Sequence, residues 1–228
     1  MNILVIAAHP DDEVLGCGGS ICKWSKKGYE VNVLILAEGI TSRDSKRDRN
    51  LRESELSELE KSAKEANSIL GVKSLQFLCF PDNRLDSVDL LDIIKSIEDK
   101  INELKPEMVV THHVGDLNID HYLIHKAVLT ACRPYPQQIV KKILTFEVLS
   151  STDWNSYTSN TTFMPNWFED ISDTLENKKR ALNAYASEMK SWPHSRSIKA
   201  VEHLAKLRGA SVGFDACEAF TLIRWLKN

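Results

Sequence analysis

Three features of the sequence predict an α/β fold with a mostly parallel sheet. Short runs rich in Val, Ile and Leu alternate with amphipathic stretches of helical period, and polar residues gather where the apolar runs end. Ile3 to Ala8 is the first run; a helix from about Gly18 to Lys27 and a second run from Val31 to Ala37 complete a βαβ unit. An amphipathic helix follows from about Arg52 to Leu70, with Leu56, Leu59, Ala63, Ala66 and Leu70 on one stripe and Gly71 as its stop. Leu75 to Phe80 reads as the third strand, Leu90 to Leu104 as a helix, Met108 to Thr111 as a buried strand, His121 to Ala131 as a helix and Ile143 to Leu149 as another strand. Trp167 to Ser187 and Ile198 to Leu207 read as helical, and Glu218 to Arg224 as a late strand. Crossover connections between parallel strands put helices on both faces of the sheet. The expectation is a single Rossmann-like domain over residues 1–228, without repeats or linkers.

Bulk properties narrow the function. A chain of 228 residues can close one substantial core, and 43% hydrophobic with 27% charged residues is ordinary for a soluble globular protein. A net charge of -3 without a basic run offers no general attraction to nucleic acid or anionic lipid, so neither is an expected partner. The opening MNILVIAA lacks a basic flank and runs at once into charged residues, which predicts neither a signal peptide nor a membrane span and makes the cytoplasm the expected compartment. The 5 cysteines have no zinc-finger spacing and no disulfide framework, and are expected to be reduced and mostly buried.

In a doubly wound sheet, ligands sit outside the carboxyl ends of the strands. Those ends carry His9 to Glu13, Glu38, Pro81-Asp82-Asn83, and His112, His113 and Gly115 to His121. His9 and Asp12 are three apart at a strand-to-helix turn, where both can reach one metal, and His121 arrives from the end of the fourth strand. Two imidazoles and a carboxylate leave a coordination position for water, the layout of a catalytic zinc site. Asp11 is then free to accept a proton from water at the metal, which points to a hydrolase. Read alone, an Asp-Asp pair is more often a helix cap; its place at the first strand end favours chemistry.

The stretch Ala8-His9-Pro10-Asp11-Asp12-Glu13, followed by Gly16, Gly18 and Gly19, resembles the first motif of the PIG-L/LmbE family of zinc-dependent de-N-acetylases. Asp120-His121 within GDLNIDH resembles its second motif, and LGV at Leu70 to Val72, Phe77 to Asn83, Gly213 and Glu218-Ala219-Phe220 extend the likeness over nearly the whole chain. The resemblance implies Zn2+ on His9, Asp12 and His121, Asp11 as general base, and Asp120 behind the metal or assisting proton transfer. It also implies an N-acetylated amino sugar as substrate, N-acetylglucosamine-like, and a homo-oligomer, since relatives commonly associate. Two positions depart from the family pattern. Asn118 stands where many relatives have His, leaving His112, His113 or His194 to supply a proton or stabilise an oxyanion. Leu59 and Glu60 stand where a substrate-holding Arg is common, with Arg49 and Arg52 earlier in the chain.

Other polar residues carry two readings. Asp82 with Asn83 could hold sugar hydroxyls or simply make a turn. Arg133 could bind an anionic substrate group or serve as a cation at a helix C-terminus. His194, in the loop Trp192 to Arg196, could stabilise an oxyanion or be merely exposed. His125, one helical turn after His121, is an alternative ligand. Two further functions suit parts of the pattern: a dinucleotide-binding fold with Glu38 on a ribose, and a non-haem iron oxygenase using the same two-His, one-carboxylate set. Against the dinucleotide stand the three carboxylates where a pyrophosphate would sit.

Overall fold

The computed structural model describes residues 1–158 and 161–227. Its element order is β1 (Asn2–Ala7), α1 (Asp12–Lys26), β2 (Glu30–Ala37), α2 (Glu53–Leu70), β3 (Ser74–Phe80), α3 (Leu90–Leu104), β4 (Met108–His112), α4 (Ile119–Ala131), β5 (Lys142–Phe146), β6 (Trp167–Asp170), α5 (Leu175–Ala184), α6 (Ile198–Ala210) and β7 (Cys217–Trp225). One seven-stranded sheet runs β3-β2-β1-β4-β5-β7-β6. Its first five strands are parallel, and β7 and β6 extend it antiparallel. This is the Rossmann-like α/β sheet that the sequence predicts.

Alternation along the strands sorts the core into two layers. Ile3, Val5 and Ala7 of β1 face a cluster built with α1, α2, α5 and Val201 of α6, while Leu4 and Ile6, followed by Ala8, face one built with α3 and α4. Both faces are therefore covered, as a parallel sheet requires. The strand order reverses direction between β1 and β4, so their carboxyl ends open a crevice. Among the described residues no helix is long and apolar enough to cross a membrane.

Two predicted elements need correction. α1 begins at Asp12, and Cys17 breaks it with φ -148° and ψ 25°, so the predicted start near Gly18 marks the second of two helical segments. The Glu218 carboxylate caps that segment, accepting from Gly19 N at 2.9 Å and Ser20 N at 2.7 Å, and Lys178 Nζ bonds both Glu218 (2.6 Å) and Leu15 O (2.8 Å). Gly16 is required by packing, because a Cβ there would lie 2.2 Å from the Phe146 ring. The stretch Trp167 to Ser187 is not one helix: Trp167–Asp170 pairs with Phe220 to Cys217 of β7, and α5 starts only at Leu175. The hydrogen bonds offered by β7 come from distant sequence, which local periodicity does not register.

Candidate metal centre and catalytic cleft

The turn that leaves β1 is built around a strained residue. Asp11, at the N-cap of α1, has φ 117°, a conformation L-residues rarely adopt and one that surrounding structure must enforce. Glu13 does so: its Oε2 accepts from Asp11 N at 3.1 Å, while Oε1 accepts from Tyr185 OH at 2.6 Å and Asn67 Nδ2 at 2.8 Å. All of this lies out of solvent, and burial raises the pKa of Glu13 against those donors.

The turn delivers His9 and Asp12 to His121, which α4 brings from the end of β4. Asp12 Oδ2 lies 3.2 Å from His9 Nδ1 and 3.1 Å from His121 Nε2. Each imidazole is anchored on its far side by carboxylate. His121 Nδ1 is 3.1 Å from Asp116 Oδ2, and His9 Nε2 is 3.0 Å from Asp120 Oδ2 and 3.2 Å from Asp82 Oδ1. A carboxylate holding one ring nitrogen as a donor leaves the other a bare lone pair, the usual arrangement behind a metal-ligating histidine. His121 Nε2 is the atom turned toward the centre, where a metal would displace its proton: buried, and without a hydrogen-bond partner despite its closeness to Asp12.

These donors fit a metal ion. His9, Asp12 and His121 can each present one atom within 4.8 Å of the others. A second group, His9, Asp82 and Asp120, meets the same distance test. There, however, every carboxylate oxygen already accepts an N–H, from Ser42 N, Asn83 Nδ2, Asn83 N and Leu85 N. That group is the anchor of His9, and the first is the candidate centre. Electrostatics agree. Burial works against charge on His121, but Asp12 and Asp116 outweigh it and raise its pKa to about 9. Burial likewise opposes the charged form of His9, yet hydrogen bonds to Asp12, Asp120 and Asp82 hold it well above the ordinary value. Burial would raise Asp12, but His121 and His9 keep it well below the carboxylate range. The pocket is thus built to hold positive charge against Asp12.

A polar cleft of about 160 Å³ opens beside His9, and Asp11, Asp82, Asn83, Asn118, Glu188, Arg43 and Arg196 line it. Arg196 Nη1 donates to Asp11 Oδ2 at 3.0 Å, and its Nε to Ser150 Oγ at 2.8 Å. Burial raises the pKa of Asp11 well above the carboxylate range, only partly offset by Arg196. A buried carboxyl poised in this way next to a cation site can take up and release a proton nearer neutrality.

The profile of the family described as PIG-L: GlcNAc-PI de-N-acetylase matches residues 4–132, more than half of the chain. The chain belongs to the PIG-L family. It is 32% identical over 177 residues to the uncharacterized deacetylase YaiS of Escherichia coli (strain K12), covering 75% of this chain and 83% of that one. It is 29% identical over 203 residues to diacetylchitobiose deacetylase of Thermococcus kodakarensis, covering 82% and 70%. In fold it is similar to N,N'-diacetylchitobiose deacetylase from Pyrococcus horikoshii, with a TM-score of 0.77 at 20% identity over 98% of this chain and 84% of that one.

His9, Asp11, Asp12, Asp120 and His121, the residues that the sequence resemblance singles out, come together in one place, and Asp82 joins them beneath His9. Asp120 is fully buried, its oxygens occupied by His9 and by the Asn83 and Leu85 amides. Asn118 caps α4, its Oδ1 accepting from Asp120 N at 2.9 Å. His112 stacks on His121 with ring centroids 3.8 Å apart and accepts from Ala8 N at 2.8 Å; burial and His121 hold it well below its ordinary pKa, as a neutral ring. His125 points to the backbone, 2.9 Å from His112 O, and His113 to Thr161 O at 3.2 Å. His194 is turned aside against Trp154, with its Nδ1 accepting from Arg196 N at 3.0 Å. Arg133 is exposed just past the far end of α4, a helix roughly 20 Å long, and the structure does not bring it to the cleft. Glu38 is locked by Arg47 at 2.7 Å, Arg49 and Thr41, so it offers no free carboxylate to a ribose. Arg52 is held by Asp44 at 2.8 Å. Sequence reasoning missed Asp116, Arg43, Glu188 and the part played by Arg196. Of these only Asp116, inside GDLNIDH, carried a signal.

Proposed function

We propose that this chain is a zinc-dependent de-N-acetylase that hydrolyses the N-acetyl group of an N-acetylated amino sugar of the N-acetylglucosamine class. The observation that carries this reading is the convergence of His9, Asp12 and His121, each imidazole anchored by a carboxylate, beside a buried Asp11 whose pKa burial raises. His9, Asp12 and His121 would hold Zn2+, which when bound acts as a Lewis acid toward an amide carbonyl and toward water. Asp116 and Asp120 orient the two imidazoles. Asp11 accepts the proton of the attacking water and retains it for the amine nitrogen as the C–N bond breaks, yielding acetate and a free amino sugar. Arg196 fixes the Asp11 carboxylate in place, and Asn83, exposed at the cleft, offers hydrogen bonds to sugar hydroxyls while Asp82 stays committed to His9, Ser42 and Asn83. Membership in a family of de-N-acetylases, and relatives named for deacetylating sugars, support hydrolysis over the iron-oxygenase chemistry that the same donor set suits. The test is an acetate-release screen with zinc-loaded protein over N-acetylglucosamine and its conjugates. Release that disappears on chelation and returns with zinc is expected. Absence of release from every conjugate overturns the reading.

A further inference from the structure

Two guanidiniums line the catalytic cleft, and each already has a carboxylate partner. Arg43 Nη2 donates to both oxygens of Glu188, at 2.9 and 3.0 Å, joining the turn after β2 to the segment between α5 and α6. Arg196 is committed to Asp11 at 3.0 Å. An anionic group entering here meets cations whose charge is already neutralised, and lies beside the carboxylates of Asp82 and Glu188. Apart from His9 and Asp11, which belong to the candidate metal centre, the other polar groups facing the cleft are Ser42, Asn83 and Asn118, a hydroxyl and two amides. Such groups exchange hydrogen bonds with a polyol and offer no charge to an anion.

We infer that the part of the substrate flanking the acetylated ring is uncharged. The chain selects neutral, hydroxyl-rich saccharide conjugates over phosphorylated, nucleotide-linked or carboxylated ones, and Glu188 sets this selection by occupying Arg43. This rests on the deacetylase reading and narrows its substrate class. Specificity here comes from offsetting a cation: an anion that reaches Arg43 meets a guanidinium already paired with Glu188 through Nη2.

Acetate release would be measured with N,N'-diacetylchitobiose, N-acetylglucosamine 6-phosphate and UDP-N-acetylglucosamine. Calorimetry would measure binding of the deacetylated disaccharide and of glucosamine 6-phosphate. The neutral substrate should show kcat/KM roughly tenfold above either anionic one, the factor expected when charged groups lack a partner in the site, and the products should bind in the same order. Glu188→Gln frees Arg43 and should narrow that ratio by about tenfold, mainly through a lower KM for the phosphorylated sugar. Adding Arg43→Ala should restore the ratio. Acetate release that favours an anionic substrate overturns the inference and leaves the deacetylase reading standing, and an unchanged ratio in Glu188→Gln overturns the role of Glu188. No acetate from any of the three overturns the deacetylase reading instead. The calorimetry then decides anion selection by itself, since both ligands carry the amine and only one the phosphate: tighter binding of glucosamine 6-phosphate, or no binding of the unphosphorylated disaccharide, refutes it.

Discussion

On the proposed ligand set, replacing Asp116 by Asn should weaken zinc binding although Asp116 stands behind His121 and outside that set. Asp116 accepts from Thr152 Oγ1 at 2.6 Å, Asn118 N at 2.9 Å and Ser151 Oγ, and lies 3.1 Å from His121 Nδ1. Its burial would favour the protonated acid, but His121 and the hydroxyls hold its pKa down to about 2, so it is a full anion at neutral pH. Asparagine keeps one acceptor oxygen and loses the charge. Removing such an anchor typically costs about 10- to 100-fold in metal affinity, or about 1.4–2.7 kcal/mol. A second effect opposes this at pH 7. Asp116 also helps raise His121 to about 9, so the variant gives zinc less proton competition. That compensation vanishes as pH approaches 9, and the deficit should therefore be larger at pH 9 than at pH 7. Competition against a chromophoric chelator at both pH values measures it, with Ser151→Ala, which keeps the charge, expected to lose less. A folded Asp116→Asn protein with wild-type zinc affinity at pH 9 would refute the reasoning.

Three other expectations follow from the same geometry. His121→Ala should lose bound zinc while His125→Ala, whose ring only meets the His112 carbonyl, keeps it; elemental analysis of the purified variants distinguishes them. Because the folded-state pKa of His121 is raised from 6.5 to about 9, its protonated form stabilises the metal-free fold fully below about pH 6.5, and this contribution fades as pH rises through 9. Zinc must displace that proton and the one on His9, so calorimetry at pH 7 in buffers of different ionisation enthalpy should show net proton release, falling toward zero above pH 9; no release at pH 7 would contradict the charge assignment. Gly16→Ala would force a Cβ into the Phe146 ring, and should cost about 1–3 kcal/mol of stability, seen as a Tm lowered by roughly 3–10 °C; an unchanged Tm would show that the ring can move.

Much of the centre was legible because its residues are local. His9, Asp11 and Asp12 fall in one turn after an unmistakable buried strand, and Asp120-His121 opens a helix after another. What the sequence hid depends on long-range contact. Arg196 meets Asp11 across 185 residues, and β6 exists only because β7 offers it an edge. Asp116 sat in plain view, but its spacing to His121 does not show that the chain curls back at the Asn118 cap so that its carboxylate meets the ring. Of the two readings of Arg133 the structure favours the helix-end cation: it is close to the motif in sequence, but α4, roughly 20 Å long, carries it away from the cleft. The kink at Cys17 explains why helical periodicity became readable only well after the turn that leaves β1.

The most direct test separates Asp11 from Asp12, adjacent and both buried, yet given different work. Zinc stoichiometry and acetate release from an N-acetylated amino sugar would be followed together across a zinc titration for Asp11→Asn and Asp12→Asn. Asp11→Asn should bind zinc and fold normally while kcat falls by about 10²- to 10⁴-fold, with no recovery at high zinc. Asp12→Asn should be deficient in zinc and recover part of its activity as zinc is added. Full turnover by Asp11→Asn at saturating zinc, or an Asp12→Asn protein that holds zinc as tightly as wild type, would contradict the division of roles on which the proposed mechanism stands.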